Sequence, residues 1–237
     1  MNVSGDSFSD GISILLPLYN EEENVRAVLS ELVEVLNQMD RPFEILCVND
    51  GSTDGTWSVL KQCEKEFSGL RLFTHEENQG QSFAFVTGFR EARTPWIVTM
   101  DADGQNDPAD IPLLLEAMGD ADVCCGIRTR RKDTWSKRMG SRLANRARNL
   151  LLGSDIQDSG CSLKVFRTEI IRELPTWKGM HRFLPDLCRI HFQSQIVQIP
   201  VGHRPRLYGE SKYNNWGRLC KTVPDVLAVR KMKRREN

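Results

Sequence analysis

The 237-residue chain has no apolar run near the ~20 residues needed to cross a bilayer, so any membrane contact expected of it is peripheral. Its first residues, Met1 to Gly11, are polar and lack the positive-then-apolar order of a signal peptide. The seven cysteines are odd in number and contain no Cys-x-x-Cys pair, which argues against a disulfide framework or a zinc site. Cys47, Cys124 and Cys125 lie inside apolar runs, where cysteine acts as a small hydrophobe; a reduced, cytoplasmic protein is expected. Two phosphate-binding signatures are also missing. There is no G-x-x-x-x-G-K-S/T, which excludes a P-loop, and no G-x-G-x-x-G after the first apolar run, which leaves a dinucleotide site unsupported. No recognition motif accompanies the basic segments, so nucleic acid is not an expected partner. Internal repeats and low-complexity linkers are absent.

What is present is a chain long enough to bury one substantial core. Its formal net charge of zero hides an asymmetry. Between Arg128 and Arg148, nine Lys/Arg face a single acid, Asp133, and the tail holds five cations within Arg230 to Arg235. A basic second half points to an anionic ligand or surface, with a solvated helix face as the plain alternative.

Apolar runs with turn chemistry at their ends predict strands at Ile12–Leu18, Phe43–Val48, Leu70–Thr74, Trp96–Met100 and Ala121–Ile127. Between them, helical spacing predicts helices over Val25–Leu36, Thr56–Phe67, Gln81–Ala92 and Ile111–Met118. This alternation implies an α/β fold with a mostly parallel sheet covered on both faces, whose ligands sit beyond the strands' carboxyl ends. Three polar loops fall there: Tyr19-Asn20-Glu21, Asn49-Asp50-Gly51-Ser52 and Asp101-Ala102-Asp103. The second half is less regular. It reads as a basic helix over Ser136–Leu152, short strands at Ser162–Phe166 and Gln195–Val201, and a helix over Phe183–His191. A final helix over Trp216–Lys233 is interrupted at Pro224.

Asp101 and Asp103 stand two residues apart at a strand end, and extended backbone would point them to opposite faces. A turn is needed before both can serve one ion, and Gly104 can supply it. With Gln105 adding an amide oxygen, the set Asp101, Asp103 and Gln105 offers hard ligands suited to Mg²⁺ or Mn²⁺. Taken alone, such a pair is more often an exposed turn; its place after a buried fourth strand favours a site. The first strand ends in Pro17-Leu18-Tyr19-Asn20-Glu21, where an aromatic and a carboxylate could hold a base.

These segments, with Asn78-Gln79-Gly80, Asp158-Ser159-Gly160 and Arg206-Leu207-Tyr208-Gly209-Glu210-Ser211-Lys212, resemble in kind and order the inverting glycosyltransferases of family 2 with the GT-A fold. Within that family the chain looks most like the dolichol-phosphate mannosyltransferase branch and its bacterial polyprenyl-phosphate relatives. The resemblance covers Ile12 to Lys212. It implies a GT-A domain over 12–212 (nucleotide-sugar half 12–127, acceptor half 128–212); composition and pattern add a flexible 1–11 and a basic C-terminal helix over 213–237. The resemblance further implies that Pro17, Tyr19, Glu21 and Asp50 hold the nucleoside, with Asp101 and Ala102 at the ribose and diphosphate. Asp103 and Gln105 would bind the metal, Arg128, Arg206 and Lys212 the phosphates, and Lys137 and Ser141 the lipid phosphate. Arg suits these contacts as a planar fork and Lys as a mobile point charge. The chain departs from many relatives at Asn49, where they have Asp, and at Gly104, where branch members carry Leu or Ile.

The activity so implied is metal-dependent transfer of a hexose, mannose foremost, from a GDP- or UDP-sugar to a polyprenyl phosphate. Such an acceptor is already a nucleophile and needs positioning rather than a strong base. A saccharide or protein hydroxyl acceptor would need a carboxylate, and Asp158 is then the candidate, although Asp before Ser-Gly is as often a turn former. A non-catalytic nucleotide-sugar or anionic-lipid binding module is the remaining reading. His181-Arg182 reads first as locally packed and second as lining the acceptor groove. Trp135 and Trp216 are candidate lipid contacts, and the C-terminal helix suits either an anionic membrane face or a solubilising tail. Peripheral placement on the cytoplasmic membrane face is therefore expected, and the oligomeric state is left open.

Overall fold

The computed structural model describes residues 10–129, 146, 148–206 and 225–233. The expectations at Lys137, Ser141, Lys212, Trp135 and Trp216 lie outside the described residues, as do 1–9, most of the expected helix over 136–152 and the first half of that over 216–233. Of these two helices, residues 148–152 (α5) and 225–233 (α8) are helical.

Seven strands form one sheet: β1 (Ile12–Leu18), β2 (Phe43–Asp50), β3 (Leu70–His75), β4 (Trp96–Thr99), β5 (Val123–Arg128), β6 (Lys164–Arg167) and β7 (Ile196–Val201), in the order β3-β2-β1-β4-β6-β5-β7. β1 pairs in parallel with β2 and β4, and β5 in parallel with β7. β6 runs antiparallel between β4 and β5, pairing Ile97 with Phe166 and Val123 with Phe166. The expected mostly parallel sheet is therefore present, with an antiparallel insertion that periodicity did not reveal.

Each central strand is apolar on both faces because helices cover both. Ile14, Leu16 and Val98 join α1 (Val25–Asn37), α2 (Thr56–Glu66) and α4 (Ile111–Met118) in one core. Leu15, Ile97 and Phe166 join α3 (Gln81–Glu91), α6 (Thr168–Arg172) and α7 (Leu184–Phe192) in the other, with Leu152 of α5 and Val226 and Val229 of α8. α1 shows how the pattern works: Val25, Val28, Leu29, Leu32, Val33 and Leu36 recur at helical spacing and are all buried. The short α6 was not anticipated. The expected helix at Phe183–His191 begins and ends one residue later. The described cysteines are free and buried, as their apolar surroundings suggested.

Parallel pairing brings the carboxyl ends of β1, β2 and β4 to one edge, and the antiparallel β6 keeps β5 aligned with them. The turn after β2 depends on Gly51, whose φ is +64°. A Cβ there would also run into the backbone of Glu77 and Asn78. Gly51→Ala is expected to destabilise the chain by about 3 kcal/mol through positive φ and backbone overlap, read as a lowered urea midpoint at unchanged slope.

Candidate active site

The loops after β1 and β2 are stitched together side by side. Asn20 adopts a φ of 53°, a left-handed conformation that Asn tolerates. Its Oδ1 accepts the Thr53 N–H at 2.8 Å, and the Ser52 hydroxyl accepts the Asn20 N–H at 2.9 Å. The Thr56 hydroxyl accepts the Glu21 N–H at 2.8 Å, while Glu22 accepts the Gly55 N–H at 2.6 Å. The sequence placed Asn20, Glu21 and Ser52 in loops at this edge, but not the bonds that join one loop to the other. Tyr19, beside Asn20 in the first of these loops, is 37% exposed.

Asp50 ends β2 and is 2% exposed. Its Oδ1 accepts from His75 Nδ1 at 2.7 Å and the Gln79 N–H at 3.0 Å. Its Oδ2 accepts from Asn78 Nδ2 at 3.0 Å and the Gly80 N–H at 2.8 Å. A carboxylate has about four lone-pair sites, and all are met from within the chain. Asp50 therefore anchors the loop before α3, and any nucleoside contact it makes must share that carboxylate. His75 was not singled out from the sequence, because nothing local marks a strand-end histidine as the partner of a residue 25 positions earlier.

The acidic loop follows β4. Gly104, φ +75°, supplies the turn that two closely spaced carboxylates require. Gln81 Nε2 donates to Asp101 Oδ1 at 2.9 Å, and the Asp101 N–H donates to Asn106 Oδ1 at 3.2 Å. Asp103 Oδ1 accepts the Gln105 N–H at 3.1 Å, while Ala102 is buried between the two acids. Burial, and then the neighbouring charge of Asp101, push the Asp103 carboxyl up from 3.8 to about 6. Such a pair is short of positive charge.

Part of that charge comes from the segment after β7. Arg206 pairs with Glu21 and lies 4.0 Å from Asp103 Oδ2. Arg204 binds Glu31 at 2.6 Å and Asp107 at 2.7 Å, and its N–H donates to Gln105 O at 2.9 Å. The Gly202 N–H donates to Asp110 at 2.7 Å. Residues 202–206 are thus strapped along the acidic loop. Arg204 was not singled out; its role depends on Glu31 of α1, far away in sequence.

Two further candidates turn out to be each other's partner. Arg128 donates from Nε to Asp158 Oδ2 at 2.7 Å and from Nη2 to Oδ1 at 2.8 Å, a bidentate fork. The Arg128 backbone N–H adds a third bond at 3.2 Å. This pair closes the site on the β5 side. His181, expected to pack locally, bonds instead across the fold to Ser82, Nδ1 to Oγ at 2.8 Å.

Asp101, Asp103, Glu21, Arg206, Arg128 and Asp158 therefore gather at one sheet edge. Among the described residues, no group of three His, Cys, Asp or Glu side chains could hold a metal ion unaided. The charge-poor Asp101/Asp103 pair and the Gln105 amide fit a divalent cation whose remaining ligands come from elsewhere, as diphosphate oxygens do.

Residues 13–175 match the family model described as glycosyl transferase family 2. An undecaprenyl-phosphate 4-deoxy-4-formamido-L-arabinose transferase of Aeromonas hydrophila subsp. hydrophila is 34% identical over 204 residues, 85% of this chain and 62% of that protein. A dodecaprenyl-phosphate galacturonate synthase of Rhizobium johnstonii is 33% identical over 223 residues, 92% of this chain and 66% of that protein. The chain thus spans about two thirds or less of these relatives' lengths. Among solved structures, glucosyl-3-phosphoglycerate synthase of Mycobacterium tuberculosis with phosphoglyceric acid superposes at a TM-score of 0.70 and 20% identity, covering 93% of this chain and 80% of that one. The same enzyme with Mn²⁺, UDP and glucosyl-3-phosphoglycerate superposes at 0.69 and 19% identity, again over 93% and 80%. At such identities these structures speak for the fold alone. The chain belongs to glycosyltransferase family 2 and has the GT-A fold.

Proposed function

We propose that the chain transfers a sugar from a nucleoside-diphosphate sugar to a polyprenyl phosphate, using Mg²⁺ or Mn²⁺. The observation that carries this reading is the crowded Asp101/Asp103 pair, with Asp103 pushed up to about 6, at the carboxyl edge of the sheet. Asp103 and Gln105 hold the cation, which stabilises the charge of the departing diphosphate. Asp101 and Ala102 lie against the ribose and diphosphate, and Pro17, Tyr19, Glu21 and Asp50 frame the nucleoside. Arg206, Arg128 and Lys212 take up phosphate charge.

A phosphate acceptor, received by Lys137 and Ser141, is favoured over a hydroxyl by the Arg128–Asp158 fork. Both Asp158 oxygens accept from Arg128, so the carboxylate that would serve as base is engaged by a guanidinium. A phosphate oxygen needs no such base. The names of the relatives point the same way, since both carry a polyprenyl phosphate. They carry a formamido-arabinose and a galacturonate, and so lend mannose no support. A polyprenyl phosphate also places the reaction at a membrane surface, and no helix among the described residues is long and apolar enough to cross one. Arg230 and Lys231 of α8 suit an anionic lipid face, whereas the Lys233 ammonium donates to Leu152 O at 2.7 Å.

The test is a panel of UDP- and GDP-sugars with undecaprenyl phosphate. A donor that binds at about 100 times its Kd with Mn²⁺ is expected to stabilise the chain by about 2.7 kcal/mol, roughly 5–10 °C in Tm for a protein of this size. Transfer from that donor is expected and should cease on chelation of the cation. A donor that binds with the metal but passes no sugar to the lipid phosphate would remove the proposed acceptor.

A further inference from the structure

Residues 78–82 join three parts of the site. Asn78, Gln79 and Gly80 donate to Asp50, and Gln81 donates to Asp101. Ser82 is 1% exposed and faces the turn before α7. There the Gly179 N–H donates to Ser82 Oγ at 2.9 Å, and His181 Nδ1 lies 2.8 Å from the same oxygen. Gly179 holds a φ of +109°, which lets the turn approach in this way.

The direction of the Ser82–His181 bond follows from the hydroxyl's own needs. With Gly179 donating to it, the buried O–H still requires an acceptor, and His181 Nδ1 provides it. The imidazole is thus held as the tautomer that carries its proton on Nε2. The first turn of α3 has no side-chain cap at Gly80, so its position rests on bonds from outside the helix: Asp50 on one side and the Ser82 clamp on the other. Gln81 lies between them.

We propose that His181 is a positioning residue for the acidic loop. Its Nδ1 fixes the Ser82 hydroxyl, which sets the first turn of α3 and thereby the Gln81 amide that holds Asp101. The role couples the 179–182 turn of the chain's second half to the donor-side loop, and it rests on the donor reading given above. Asp101 is held from outside its own loop by Gln81, so loosening that turn frees the carboxylate nearest the diphosphate.

The experiment compares His181→Ala, His181→Asn and His181→Gln in the full chain. Asn places an acceptor oxygen where Nδ1 stands, whereas Gln mimics Nε2. Hydrogen exchange is followed in metal-free peptides covering 78–82 and 101–106, and binding of UDP and of GDP with Mn²⁺ is measured by calorimetry. His181→Ala is expected to raise exchange in both segments and weaken metal-dependent nucleotide binding roughly tenfold, because the buried hydroxyl loses its acceptor. His181→Asn should restore both to within about threefold, and His181→Gln should not. In a Ser82→Ala background, His181→Ala should add little, as expected of two residues acting through one bond. Unchanged exchange at 101–106 in His181→Ala, or Asn no better than Ala, overturns the proposal. A wild-type chain that binds neither nucleotide with Mn²⁺ overturns the donor reading instead, and the exchange data then still decide the positioning role.

Discussion

Asp103→Asn is expected to lower kcat/KM about a thousandfold, with donor binding reduced far less in the absence of metal. That loss corresponds to about 4 kcal/mol of transition-state stabilisation, in the range set by a cation or a preorganised donor acting on a leaving group. Asn keeps an oxygen for the Gln105 N–H, bonded to Asp103 at 3.1 Å, so the loop should hold its shape. The charge alone is removed, and charge is what the cation needs.

The same substitution has an opposite effect on stability, and this separates it from simple unfolding. Burial first, and Asp101 second, raise Asp103 from 3.8 to about 6. Between those values the folded chain holds more protons than the unfolded one. Metal-free stability therefore falls as pH rises through this window, the reverse of a salt-bridged acid. Asn removes the penalty, so above pH about 6 the metal-free variant should be at least as stable as the parent. A cation competes with the proton for the same oxygen. Calorimetry should show Mn²⁺ binding weakening as pH drops below about 6, by roughly tenfold per unit at the limit. Affinity that stays flat from neutral pH to well below that value would remove Asp103 from the metal site. So would an Asn variant that is active with Mn²⁺.

Asp50→Ala is expected to be the most destabilising single change at the site. Two backbone N–H groups, the Asn78 amide and His75 Nδ1 all converge on its carboxylate. Ala would leave those donors without that partner beside a position 2% exposed. Bonds to a charged acceptor are worth about 1.5–3 kcal/mol each and are not additive, so a loss of about 4 kcal/mol is expected, or roughly 8–16 °C in Tm. Asp50→Asn should recover little, because its NH₂ must face a donor whichever way it turns. Scanning calorimetry reads the effect directly. A Tm within a few degrees of the parent would show that the loop before α3 is held by other contacts, leaving Asp50 free for the nucleoside.

Both predictions depend on a distinction that runs through the molecule. Alternating apolar runs and helical spacing, such as Val25, Val28, Leu29, Leu32 in α1, placed nearly every element to within a residue or two. They did so because burial of one face or two is written locally in the order of side chains. The acidic loop was legible for a related reason: its two acids and glycine are neighbours in the chain, and they end a buried strand. What the sequence by itself determined was thus the element order, the edge on which the polar loops gather, and the residues that make the edge acidic. Partnership was decided by the tertiary structure. The antiparallel β6 enters between β4 and β5 because pairing depends on which strands meet, and no periodicity encodes that. Arg128 and Asp158, Glu21 and Arg206, and Ser82 and His181 are joined across 30, 185 and 99 residues respectively. Charge and hydrogen-bonding capacity are properties of single residues, but whether a carboxylate is left open to a ligand or filled by its own chain depends on what the fold brings within about 3 Å. For Asp50 the fold fills it, so that a nucleoside would have to share the carboxylate, and for Asp103 it leaves the charge only partly met.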